Sequence, residues 1–147
     1  MLVQHLLGAV NLSAERIINM PQELSVANAS RVLEDVRGLA GDALGTVMNI
    51  VSRLGSRPQQ LLVSHQLSPG EIRKLLLAVG MLRTPHLIVL DEPTNHLDLP
   101  SIQALENALA DCPCGMLLVS HDNRFLDRLG VTRWDVKIDG QGNSQMH

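Results

Sequence analysis

Ile88-Val89-Leu90-Asp91-Glu92-Pro93-Thr94-Asn95-His96-Leu97-Asp98 is the stretch on which the reading of this chain turns. An apolar run from His86 to Leu90 suits a buried strand of a parallel sheet. It delivers two adjacent carboxylates to the strand's C-terminal end, and a tight polar loop follows. In open α/β sheets ligands bind outside the carboxyl ends of the strands. A metal-directing acid beside a water-activating acid, at that position, is what phosphoryl chemistry asks of a protein. Two neighbouring acids are common, however, and the pair by itself reads equally well as an acidic turn ahead of a helix cap at Asp98.

The segments around it support an α/β arrangement. Downstream, Ile102, Leu105 and Leu109 give Pro100–Ala110 the spacing of an amphipathic helix. Met116–Val119 reads as a second buried strand, Asn123–Leu129 as a short helix, and Trp134–Ile138 alternates like a last strand before a polar tail. Strand, helix and strand in this order imply a βαβ unit. Upstream the chain reads as helical. Ala29, Val32, Leu33, Val36 and Leu39 recur at helical spacing, Gly41-Asp42 interrupts, and Asp42 is positioned to cap a second helix carrying Leu44, Val47, Met48, Val51 and Leu54. Ser56-Arg57-Pro58 reads as a loop. A further helix runs from Pro69 to about Arg83, with Ile72, Leu75, Leu76, Val79 and Leu82 on its apolar face and Thr84-Pro85 ending it. Over residues 1–20 a helix from Ser13 is the expectation. The organisation expected is a helical part over 1–66, then an α/β part over 67–147.

Bulk properties narrow the function classes. With 147 residues and 45% apolar content, the chain can bury a real core. No apolar run reaches the roughly 18–20 residues needed to cross a bilayer, and Met1–Val10 lacks the basic start of a secretory signal, so the cytoplasm is the expected location. A net charge of −3, with only Lys74 and Lys137 as lysines, leaves no strong basic footprint for nucleic acid. Phe125 and Trp134 are the only aromatics, too few for base stacking. Cys112 and Cys114 flank Pro113, poorly placed to bridge each other and short of metal-ligating neighbours, so two free surface thiols are expected.

Two further motifs flank the acidic run. In Leu67-Ser68-Pro69-Gly70-Glu71, Ser68 and Glu71 form a capping-box pattern with proline at the first helical position. Alone this is a well-made helix start. The same geometry, a helix N-terminus with a hydroxyl and a glycine, also suits phosphate. In Val119-Ser120-His121-Asp122, His121 follows an apolar strand. A lone histidine there is usually structural, but strand ends of a parallel sheet converge, which brings His121 toward Glu92.

Together the three motifs resemble an ATP-binding-cassette (ABC) ATPase. The resemblance covers roughly residues 65–130. Leu67–Glu71 is similar to the ABC signature, with Pro69 in place of a glycine. That proline removes one backbone N–H from the pattern while leaving Ser68 and Gly70. Asp91-Glu92 and the loop to Asp98 resemble Walker B and the D-loop, and His121 resembles the switch histidine. The resemblance implies Asp91 as the Mg²⁺ residue, acting through water, and Glu92 as general base. It also implies His121 at the γ-phosphate, Ser68, Gly70 and Glu71 on nucleotide, and Asp98 at the seam between two cassettes. Gln4 stands where a Q-loop glutamine would. Thr94-Asn95-His96-Leu97-Asp98 with Ser120-His121-Asp122-Asn123-Arg124-Phe125-Leu126 most resembles the ABC-F subgroup, soluble paired-cassette ATPases of which several act on the ribosome, in translation or antibiotic resistance.

No Gly-x-x-x-x-Gly-Lys-[Ser/Thr] occurs in the sequence, so the phosphate cradle of a P-loop is absent from these residues. The fold expected is therefore α/β: a partial P-loop NTPase (ABC cassette) fold, with a helical subdomain followed by part of a parallel sheet and its flanking helices. Such a chain reads as the C-terminal part of a cassette, beginning near the Q-loop. In the intact protein it would bind ATP with Mg²⁺ and hydrolyse it, paired with a second cassette as a dimer or in tandem, with the ribosome as a further partner. The alternatives are a nucleotide-binding subunit of a membrane transporter and a non-catalytic interaction fragment. A parallel sheet without neighbours on its inner strands leaves apolar surface and strand edges uncovered. The purified chain is accordingly expected to self-associate. Light scattering should return a mass above the monomer's, and a clean monomer at high concentration would contradict this.

Overall fold

The computed structural model describes residues 7–64, 66–130, 132–134, 136–138 and 144–146. A 3-10 turn, Ala14–Arg16, enters strand β1 (Ile17–Met20). Helices α1 (Val26–Gly38), α2 (Gly41–Arg53), α3 (Pro58–Val63) and α4 (Pro69–Met81) follow. Next come β2 (Leu87–Asp91), α5 (Leu99–Ala110), β3 (Gly115–Val119) and α6 (Asn123–Leu129). A strand pair, β4 (Val136–Ile138) and β5 (Ser144–Met146), completes the described elements. The sheet runs β1-β2-β3, parallel throughout, with Ile18 opposite Ile88 and Val89 opposite Leu117. β4 and β5 pair antiparallel. This is the α/β class with a parallel sheet expected from the sequence.

Several local expectations are corrected. The helix expected from Ser13 is a 3-10 turn and a strand, because Ile17–Met20 finds β2 as a partner and buries Ile18 and Met20 on alternate positions. Helix propensity is weak for a β-branched pair offered such an edge. Asp42 is not the N-cap of α2. Ala40 holds that position, and Asp42 lies in the first turn, where its charge still suits the helix dipole. The loop expected at Ser56–Pro58 is shorter, since Pro58 occupies the first helical position of α3. The last strand begins at Val136, leaves Trp134 exposed, and pairs with a strand inside the polar tail. Cys112 and Cys114 are joined as a disulfide with a Cα–Cα distance of 5.5 Å, not two free thiols. The turn at Pro113 brings the two Cα atoms within bridging range despite their closeness in sequence.

Apolar side chains gather into two cores that share α4. One lies under the sheet and combines Ile18, Met20, Leu77, Ile88, Leu90, Leu105, Leu109 and Phe125. The other lies among the helices and combines Val36, Val47, Val51, Leu61, Leu75 and Ala78. Leu77 faces the first while Leu75 and Ala78 face the second, so α4 is apolar on two sides rather than along the single stripe read from the sequence. Glu106, buried on α5, is matched by Arg128 of α6 at 3.3 Å, which supplies the partner that a buried carboxylate requires.

The approach of α4 to the sheet depends on glycine. A Cβ at Gly80 would lie 2.6 Å from Ile18 Cγ1, whereas one at Gly45, in the exposed face of α2, would meet nothing within 4 Å. Alanine in a helix interior is worth roughly 0.5–1 kcal/mol over glycine, while overpacking a core costs about 1–3 kcal/mol. Thermal denaturation should therefore show opposite signs, Gly45→Ala stabilising and Gly80→Ala destabilising. A stabilised Gly80→Ala would mean that Ile18 yields freely.

Candidate functional site

The site lies at the C-terminal ends of β2 and β3 and is set first by backbone. Glu92 leaves β2 with φ +48°, a left-handed conformation costing a side-chain-bearing residue on the order of 1–2 kcal/mol. Its N–H donates to Val119 O at 2.8 Å and its carbonyl accepts from Asn95 N–H at 3.2 Å. The reversal sends the carboxylate sideways rather than along the strand, so that Glu92 Oε1 lies 3.5 Å from His121 Nε2. Glu92 is buried, while the His121 side chain is fully exposed. One partner is thus fixed and the other is free to meet a ligand. Parallel pairing places Asp91 opposite Val119, so the acid pair and the histidine leave adjacent strands side by side.

The signature-like segment begins α4. Ser68 Oγ accepts from Glu71 N–H, and Ser68 N–H donates to Glu71 Oε2 at 2.9 Å, closing the capping box. Gly70 is buried against the loop after β2, where a Cβ would stand 3.0 Å from the His96 carbonyl. His96 itself has φ +63°, and this turn brings its carbonyl onto the glycine. Asp98 then caps α5, its Oδ1 accepting from Ser101 N–H at 3.0 Å. Lys74 of α4 donates to Ser101 Oγ at 2.7 Å. Hydrogen bonds from the Ser101 hydroxyl and N–H hold the Asp98 carboxyl below the ordinary carboxylate range, and the Lys74 charge acts in the same direction. Burial lowers the pKa of Lys74, against the attraction of Asp98 and Glu71.

Arg73 occupies the sheet-facing side of α4 and is buried. Its guanidinium donates to the Gln22 carbonyl and, at 3.5 Å, to the Glu92 carbonyl. Burial lowers its pKa, opposed by the nearby Asp91 carboxylate.

The structure therefore brings Asp91, Glu92 and His121 into one place, and Ser68, Gly70, Glu71 and Asp98 into a second place packed on the same loop. No hydrogen bond among the described residues joins Ser68 or Gly70 to Glu92 or His121. Gln4 lies outside the described residues. The donor set can be tested against magnesium. No group of three or more potential metal-ligating side chains gathers among the described residues. An oxygen donor such as Asp91, without a cage around it, fits Mg²⁺, which keeps its waters and takes further ligands from phosphates. Arg73, Lys74 and Ser101 were not singled out from the sequence. The one signal, for Arg73 alone, was that Gly70, Arg73, Leu77 and Gly80 share a helical face, which places a charge on a side otherwise facing the sheet.

With parallel strands, paired carboxylates at a strand end, a facing histidine and a capped helix start packed beside them, comparison with known proteins gives one answer. The sequence model of the ABC transporter family matches residues 4–95, and the chain belongs to that family. Elongation factor 3A of Saccharomyces cerevisiae is 43% identical over 100 residues, 65% of this chain and 9% of that protein. The energy-dependent translational throttle protein EttA of Mycobacterium tuberculosis is 48% identical over 73 residues, 50% of this chain and 13% of that protein. The ATP-binding protein Uup of Caulobacter vibrioides is 51% identical over 76 residues, 52% of this chain and 12% of that protein. The matches thus span about a tenth of the relatives' own length. The chain holds part of the P-loop NTPase fold of that family, a parallel sheet with flanking helices, and its relatives mark it as ABC-F-like. No helix among the described residues is long and apolar enough to cross a membrane.

The Asp98 network has a pH signature. Because its folded pKa lies below the unfolded value, near 3.9, its stabilisation is complete above that value and is lost as pH falls through the folded pKa. Asparagine keeps the cap without titrating. Melting temperature followed from pH 7 to pH 2 should therefore fall less in Asp98→Asn than in the wild-type chain. Equal acid slopes would show that the Ser101–Lys74 network does not act on Asp98.

Proposed function

We propose that this chain forms the signature, Walker B and switch-histidine part of an ATPase domain that binds Mg-ATP and hydrolyses it in the intact protein. Residues up to about 66 would serve as its helical part, apart from the strand Ile17–Met20, and 67–147 as its α/β part. The observation that carries the reading is the meeting of a buried Glu92 with an exposed His121 at 3.5 Å across neighbouring strand ends.

The geometry supports the following roles. Asp91 would hold Mg²⁺ through water, and the ion would supply charge neutralisation on the phosphates of ATP. Glu92, fixed in orientation, accepts a proton from the water whose oxygen forms the new bond to the γ-phosphorus as the bond to the departing ADP oxygen breaks. His121 is free to swing from Glu92 and donate to the γ-phosphate. Ser68 and Gly70 offer a hydroxyl and a close backbone approach to nucleotide held by a second cassette, with Asp98 at the seam. Pro69 withholds one N–H from that contact. The names of the relatives, an elongation factor and a translational throttle protein, favour a ribosome-linked ABC-F role over a transporter subunit.

The sequence contains no P-loop motif, so the 147-residue chain alone should show no saturable Mg-ATP binding by calorimetry and no turnover. In a cassette carrying both this chain and a P-loop, Glu92→Gln should lower turnover about 10²–10⁴-fold, the usual worth of general-base catalysis, with ATP binding retained. Turnover indifferent to Glu92→Gln would refute the assignment.

A further inference from the structure

Arg73 is the buried group that the proposed chemistry leaves unused. It lies at 3% exposure in the middle of α4, and it makes no ion pair at contact distance among the described residues. Its guanidinium instead donates to two main-chain carbonyls from different parts of the fold, Gln22 after β1 and Glu92 after β2. Its buried Nε has no hydrogen-bond partner. A buried arginine with an unsatisfied N–H is a poor way to fill space, and an apolar side chain of similar volume would commonly be neutral or stabilising there. What an apolar side chain could not do is donate to the Glu92 carbonyl.

That carbonyl belongs to the residue with the strained backbone. Left-handed φ at a side-chain-bearing residue persists only where the surroundings over-determine it. Val119 holds the Glu92 N–H from β3 and Asn95 holds the carbonyl from within the turn. Arg73 is the hold that reaches it from α4. Without it, the carbonyl keeps only the bond from its own turn, which would travel with the backbone if the reversal relaxed. We infer that Arg73 is a positioning residue, holding the Glu92 peptide in its left-handed conformation so that the carboxylate faces His121, and so tying the register of the signature helix to the aim of that acid. The value of this aim rests on the proposed general-base role of Glu92; the structural coupling does not.

The test uses the isotope-labelled 147-residue chain without nucleotide, as wild type, Arg73→Met and Arg73→Lys. The HN–Hα coupling and Cα shift of Glu92 report its φ, and amide exchange at Asn95 reports the turn. Arg73→Met should move Glu92 out of the left-handed region and speed exchange at Asn95 by about twofold or more relative to Val89 and Leu90, the lower end of the loss of one hydrogen bond because this one is long at 3.5 Å. Arg73→Lys should fall between, because a single ammonium cannot fork to both carbonyls. If Arg73→Met does not fold, Arg73→Lys decides alone. Glu92 φ and Asn95 exchange unchanged from wild type, or exchange accelerated equally at Asn95, Val89 and Leu90, would overturn the inference and leave Arg73 as packing. A shifted Glu92 together with turnover indifferent to Glu92→Gln would sink the ATPase role of Glu92 and keep the positioning.

Discussion

The structure hangs on the close approach of α4 to the sheet on one side and to the helices before it on the other. Its sheet side carries Gly80 against Ile18, Leu77 in the sheet core, Arg73 on two carbonyls and Gly70 on the His96 carbonyl. Its other side carries Leu75 and Ala78 into the helical core. Large side chains at the two glycines would hold the helix away from the strands, and the polar contacts between them would then have no reach. Close packing thus sets the distances between α4 and the candidate site. A helix pinned at both ends and the middle cannot slide by a turn without breaking all of these contacts at once.

The same constraint explains why the two halves of the candidate site share one loop. Residues 92–98 reverse direction twice by left-handed backbone, at Glu92 and at His96. The first reversal turns the acid toward His121, and the second turns a carbonyl onto Gly70. Asp98 then closes the loop by capping α5, with Ser101 and Lys74 returning the connection to α4. The acid end and the helix start are accordingly joined through backbone and short polar side chains, a stiffer connection than long surface side chains would make.

How much of this was legible in the sequence depends on the range of the interaction. The capping box of Ser68 and Glu71 and the cap at Asp98 rest on contacts within a few residues, the strands around Leu90 and Leu118 on unbroken apolar runs, and they are where the sequence places them. The approach of His121 to Glu92 was legible because parallel strands leave little choice of side. β1 was not legible, because four residues from Ile17 to Met20 carry no period of their own and become a strand only by pairing with residues about 70 positions away. Arg73 and Lys74 sat in a helix whose apolar stripe had already been read, and only the second core shows that α4 has no solvent face wide enough for both. The Cys112–Cys114 bridge depends on a turn that composition does not announce.

The contrast between Glu92 and His121 follows from these placements. A carboxylate buried beside a strand end needs partners for its oxygens. Here the peptide around it is satisfied by Val119, Asn95 and Arg73, while the carboxylate itself is met by a single imidazole that remains in solvent. A group held this way has its direction fixed by the fold but its electrostatic partner set by whatever replaces the histidine. On the proposed ATPase role, a phosphate entering with its cation would draw the imidazole away and leave the acid facing the incoming water. The arrangement therefore places its rigidity in the backbone and its freedom in one exposed side chain, the division that a site awaiting a charged ligand requires.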